Sequence, residues 1–149
     1  MNRAYCVKHY KETGSFKFLI NNPFWVKLAK QLTNLKDTHE LHKPKHSYLS
    51  YSVLELMFNV ILETGLSENL HKLNLENNGL NKLPRHITLF ENLRKIYIAG
   101  NNITSLPKGF SKLEKLSYMR YDVERFEQKY RDKIRLLLDA NHLNSKRKQ

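Results

Sequence analysis

Polar and apolar positions in the middle of the chain recur at a fixed offset of 23 residues. Leu70, Leu73, Leu75, Asn78, Leu80, Leu83 and Ile87 are answered by Leu93, Ile96, Ile98, Asn101, Ile103, Leu106 and Phe110, and Pro84 by Pro107. A third copy begins with Leu116, Met119 and Tyr121 and then drifts: Glu124 stands in the asparagine place, and Phe126 follows at the next apolar place. Within each copy the apolar residues alternate with polar neighbours over a few positions, which is strand periodicity. An asparagine amide offers donors and an acceptor together. Buried in the turn after a strand, it can bond backbone groups of its own coil and of the next, groups that would cost about 1–3 kcal/mol each if left unpaired. The prolines fix φ where no ladder needs their N–H. The apolar residues of one coil do not offset the entropy of ordering it, so coils of this kind must stack and their ends need covers.

The flanking segments supply such covers. In residues 50–64, Val53, Leu56, Met57, Val60 and Ile61 lie at helical spacing, with Ser47 or Ser50 to cap the start and Gly65 to stop the helix. A second helix is predicted over 123–140, capped by Asp122, with Val123, Phe126, Tyr130, Ile134, Leu137 and Leu138 as its apolar stripe. The tail NSKRKQ reads as mobile. Toward the N-terminus, YCVKHY and SFKFLI around KETG fit a β-hairpin, and Asn22-Pro23 can open a helix through about Leu35 with Phe24, Trp25, Leu28, Leu32 and Leu35 on its apolar side. Residues 33–46 read as a linker with one helical turn. The expected division is therefore an N-terminal segment 1–46, a capping helix within 47–65, repeats over 66–121, a capping helix within 122–140 and a basic mobile tail 141–149.

The repeat LxxLxLxxNxLxxLPxxI resembles that of the leucine-rich repeat family, in its LPxxI type, over about 50–60 residues. The resemblance implies an α/β fold: a short solenoid with parallel strands on its concave face, capped by helices at both ends. Neighbouring strands about 4.8 Å apart would then line up three outward rows. These are Lys72, Lys95 and Tyr118; Asn74, Tyr97 and Arg120; and Glu76, Ala99 and Asp122. Tyr and Arg are favoured interface anchors, and the small Ala99 between two carboxylates would suit a partner's Lys or Arg. The function implied is a non-enzymatic protein-interaction module without a cofactor, its partner a protein. The chain is also similar to small leucine-rich repeat effectors of intracellular bacteria. That likeness implies virulence proteins delivered into a host cell without a cleavable signal peptide, with a host protein as partner; an ordinary cytoplasmic protein is the other expectation. Some such effectors carry a C-terminal ubiquitin-ligase domain with a catalytic cysteine, but no residue after these repeats is Cys, so that activity is not carried over.

Charge modifies this picture. The net charge is +12 over 149 residues. Residues 1–46 hold nine basic and three acidic side chains, 47–117 eight and six, and 118–149 nine and five, so the excess lies at the ends. With Tyr5, Tyr10, Phe16 and Phe18 among basic residues, this favours as the alternative class a basic nucleic-acid or anionic-membrane binder using residues 1–46 and the tail. No window of about eighteen apolar residues exists, and the N-terminus lacks the apolar core of a secretory signal.

Catalytic patterns are sparse. Glu76 and Asp122 are the only inner-face carboxylates offered as a pair, on a solvated face that does little to tune them. His39, His42 and His46 form HxxHxxxH, but Glu40 is misplaced for HExxH and Pro44 interrupts a helix, so a basic solvated linker is the better reading and no metal is expected. Cys6 has no assignable base. The five glycines are scattered, without a phosphate loop.

Overall fold

A computed structural model describes residues 3–14, 23–42 and 49–147. The chain forms one parallel sheet of four short strands, the last three at the spacing of the repeat: β1 Glu40–His42, β2 Lys72–Asn74, β3 Lys95–Tyr97 and β4 Tyr118–Arg120, in that order. In the middle of each strand one aliphatic residue points inward, and the register puts Leu41, Leu73, Ile96 and Met119 side by side. All four are buried, while their strand neighbours are half-buried or exposed. The return of each coil is a 3-10 turn, Leu66–Asn69, Arg85–Leu89 and Phe110–Lys112, which brings Leu66, Ile87 and Phe110 into the same core.

The asparagine turns carry the coil-to-coil bonding. Asn101 Nδ2 donates to the carbonyls of Leu75 and Ile98, each at 2.8 Å, and its Oδ1 accepts the N–H groups of Asn78 (3.1 Å) and Leu80 (3.0 Å). Asn78 Nδ2 donates to Leu75 O at 2.8 Å, and its Oδ1 accepts the N–H of Leu49 at 3.1 Å, from the segment before the repeats. Both side chains are buried. The turn needs left-handed backbone next to them: Gly79 has φ 66° and Gly100 φ 72°. A Cβ on Gly79 meets open space, whereas one on Gly100 would overlap Asn77 Oδ1. Gly79→Ala should therefore cost only the left-handed penalty of about 1–2 kcal/mol, and Gly100→Ala clearly more; urea midpoints of the two variants check the order.

Four helices of the described residues precede β2: α1 Arg3–Thr13, α2 Pro23–Thr33, α3 Leu35–Thr38 and α4 Tyr51–Glu63. Ser50 Oγ accepts from Val53 N (3.3 Å) at the start of α4, and Gly65 with φ 76° follows its end. Leu54, Met57, Phe58, Val60 and Ile61 are buried on its inner side, with Val53 and Leu56 partly so. Helix α5, Gln128–Arg147, follows a short 3-10 turn at Val123–Arg125.

Several expectations need correction. Residues 5–10 are helical, not the first arm of a hairpin: Cys6, Val7 and Tyr10 form one buried helix face, and Arg3 Nε pairs with Glu63 Oε1 at 2.9 Å near the end of α4. The second arm, SFKFLI, lies outside the described residues, as do Ser47, Pro44 and the side chains of Phe24, Trp25 and Leu28. Residues 33–42 are more than a linker, because they hold α3 and the edge strand β1. The C-terminal helix starts at Gln128 rather than 123. Buried Phe126 keeps the chain on the coil that far, and Asp122 spends its carboxylate elsewhere instead of capping. The same helix runs on through residues 141–147, where a mobile tail is expected. Asn141, buried, donates from Nδ2 to Leu113 O (2.9 Å) and Leu116 O (2.8 Å), which ties the far half of α5 to the turn before β4.

Candidate partner-binding face

The residues flanking each inward aliphatic point to the open side of the sheet. There the register pairs Lys72 with Lys95 and Lys95 with Tyr118, and Asn74 with Tyr97 and Tyr97 with Arg120. Strand β1 extends both rows by one residue, Glu40 beside Lys72 and His42 beside Asn74. Sequence reasoning missed this strand. Its signal was the tetrad His39-Glu40-Leu41-His42, which has the polarity pattern of His71-Lys72-Leu73-Asn74.

Two layers of contact fix these side chains. At the β1 edge, Glu40 accepts from His42 Nε2 at 2.8 Å and from Lys72 Nζ at 3.2 Å. The His42 hydrogen bond, then the Lys72 bond and charge, hold the Glu40 carboxyl below its usual range despite some burial. Toward β4, the Tyr97 and Tyr118 rings lie 5.3 Å apart, and Lys72 Nζ sits 5.6 Å from the Tyr97 ring centroid. Tyr118 is 45% exposed. Along the edge where the strands begin, His39 and His71 stack with centroids 4.5 Å apart and planes 9° from parallel, and the backbone O of Asn69 lies 3.1 Å from His39 Nδ1.

The recess at Ala99 differs from the expectation that two free carboxylates flank it. Glu76 Oε1 meets Arg120 Nε at 3.3 Å. Asp122 Oδ2 accepts the Gly100 N–H at 2.9 Å and pairs with Arg125 Nε at 3.4 Å. Both acids are answered within the chain, so neither invites a partner's cation, and neither has the unpaired, desolvated setting that tunes a catalytic carboxylate. Asn74 Oδ1 accepts the Glu76 N–H at 3.0 Å, which turns its amide partly back onto the strand. Of the three histidines read together, His39 and His42 are engaged as described, and His46 lies outside the described residues. Among the described residues no three His, Cys, Asp or Glu side chains converge as metal ligands. Cys6 is buried in α1, and burial raises its thiol pKa, the opposite of what a nucleophile needs.

Burial first, then the neighbouring charges of His39, Arg94 and Lys115, lower the His71 pKa. The folded protein thus binds a proton at His71 less readily than the unfolded chain does. Stability should be fully present above the unfolded value of about 6.5, and should fall as pH drops below it until the lowered folded value is passed. Thermal midpoints between pH 7.5 and 5 check this, and His71→Gln should flatten the slope in that window.

No helix among the described residues is long and apolar enough to cross a membrane. No curated protein matches the chain. Residues 68–120, which span β2, β3 and β4 with both asparagine turns, match the leucine rich repeat family: the protein carries leucine-rich repeats.

Proposed function

We propose that the protein is a non-enzymatic interaction module that binds a partner protein through the open face of its repeat sheet, with Tyr97, Tyr118, Lys95 and Arg120 as the anchors. The observation that carries this reading is the aromatic and cationic cluster on β3 and β4, the Tyr97–Tyr118 pair at 5.3 Å with Lys95 and Arg120 in register beside it. Aromatic rings bring large contact area at little entropic cost, and Arg and Tyr are the residues that most often dominate interface energetics. Four strands set about 4.8 Å apart make a face about 14 Å across, wider than the three repeats alone provide. Lys72, Asn74, Glu76, Ala99 and Asp122 adjoin this cluster on the same face. There the internal pairs Glu40–Lys72 and Glu76–Arg120 hold side chains in place before a partner arrives.

The test is affinity purification from cell lysates with the wild-type chain and with Tyr97→Ala plus Arg120→Ala. Neither side chain is part of the core, so the double variant should keep the wild-type melting curve. It should lose the captured partner, with affinity down at least about tenfold once that partner is identified. Undiminished capture would move the site off the open face. Capture of nucleic acid that collapses between 50 and 200 mM salt would favour the basic-binder alternative.

A further inference from the structure

Helix α5 carries a second face whose apolar surface none of the described residues covers. Leu136 is 65% and Leu143 57% exposed, and at seven residues apart they lie on one side of the helix, about 10 Å along its axis. Beside Leu136 a groove of about 640 Å³ opens between α5 and the last repeat turn, with Leu106, Pro107, Phe110, Tyr130 and Leu137 in its walls. That volume is within the range of specific ligand sites. Among the described residues, the charged side chains that line the groove are Lys108 and Lys133, while Asp132 and Asp139 lie on the other flank of the stripe, away from the groove. The helix ends on Lys146 and Arg147.

We propose that this groove and the Leu136–Leu143 stripe dock an acidic amphipathic segment of a partner protein, an α-helix with leucine-like anchors on one side and carboxylates flanking them. The apolar anchors fill the groove and cover Leu136 and Leu143, which gains the burial that α5 forgoes in isolation. Carboxylates on the segment meet Lys108 and Lys133 at the groove and Lys146 and Arg147 at the far end. A second copy of this chain is the wrong occupant, because it would bring the same lysines and a net charge of +12 against this surface. A bilayer is a poorer fit than a peptide, because a recess between a helix and a loop is filled by a narrow inserted element rather than by a flat surface. This site lies apart from the open face of the sheet and does not depend on the function proposed for that face.

The experiment uses the full chain and two fluorescein-labelled synthetic 16-residue helices with the same leucine spacing, one with glutamates and one with lysines on the polar side, together with phosphatidylcholine–phosphatidylserine vesicles. The glutamate peptide should bind saturably and shift the methyl resonances of Leu106, Leu136 and Leu137. Leu136→Ser plus Leu143→Ser, both at exposed positions, should weaken it at least about tenfold, and Lys133→Glu several-fold. Tyr97→Ala plus Arg120→Ala should leave binding unchanged. The proposal is overturned if the glutamate peptide does not bind, if the lysine peptide binds equally well, or if the double serine variant binds as wild type. It is also overturned if neither peptide binds while the vesicles do so through Leu136 and Leu143, which would make the stripe a membrane-contacting surface.

Discussion

Asn101→Ala is expected to remove about 4 kcal/mol of folding stability, a large share of the roughly 5–15 kcal/mol that holds a domain of this size together. The side chain is 2% exposed and makes four hydrogen bonds, two donated to the Leu75 and Ile98 carbonyls and two accepted from the Asn78 and Leu80 amides. Alanine orphans three backbone groups at once, the Ile98 carbonyl and the Asn78 and Leu80 amides, and leaves the Leu75 carbonyl with Asn78 Nδ2 alone. Each costs about 1–3 kcal/mol when buried and unpaired, and entry of water into the opened turn recovers part of the sum. The urea midpoint should drop with little change in slope. Asn78→Ala removes one strong donated bond and one accepted bond, and should cost about half as much. Asn101→Asp separates the two roles: the carboxylate still accepts from Asn78 and Leu80 but faces the Leu75 and Ile98 carbonyls with no proton to give. It should be nearly as damaging as alanine near neutral pH and partly recover in acid, where the carboxyl becomes a donor. If Asn101→Ala costs less than about 1 kcal/mol, the turn's amides and carbonyls find other partners, and the asparagine is not what binds one coil to the next.

The middle of the chain was legible because a repeat reports its own register. An offset of 23 residues held at every apolar position leaves one way to align Leu73, Ile96 and Met119, and the three outward rows follow from that alignment. The edge strand was not legible in the same way. His39-Glu40-Leu41-His42 has the polarity of His71-Lys72-Leu73-Asn74, but the two are 32 residues apart, because α4 occupies the return of the first coil. A period of 23 does not find a strand displaced by an inserted helix. The N-terminal helix was not legible because Tyr5, Cys6, Val7 and Tyr10 have strand-like residue types, while the inward face formed by Cys6, Val7 and Tyr10 follows helical spacing and leaves Tyr5 exposed. The pairing of the inner-face carboxylates depends on which long side chains reach across strands, and alignment alone does not give that. Asn141 gave no signal at all. An asparagine in a polar helix usually faces water, and only the position of α5 over the Leu113–Leu116 turn makes it a buried donor.

Phe58→Ala is expected to cost about 3–5 kcal/mol and to destabilise the repeats along with its own helix. Phe58 on α4 and Phe90 after the turn Arg85–Leu89 are both fully buried, with ring centroids 4.8 Å apart at 77°, an edge-to-face pair. Truncating either ring opens a cavity at the seam between α4 and the second coil. The surrounding Ile61, Leu66, Ile87 and Leu93 are themselves buried and have little freedom to collapse into it. Phe90→Ala should cost a similar amount. The double variant should lose less than the sum of the two, by about 0.5–1.5 kcal/mol, since the ring–ring contact can be lost only once. Amide exchange locates the effect. If α4 and the coils share one core, Phe58→Ala accelerates exchange at Ile96 and Tyr97 in β3 as much as at Ile61 in α4, in a single cooperative unit. Selective exchange in 51–63 with β3 still protected would make α4 a separable helix. The apolar end of the first repeat would then have to be closed by α1 and α2 instead, and β1 would lose its reason to stay paired at the edge of the sheet.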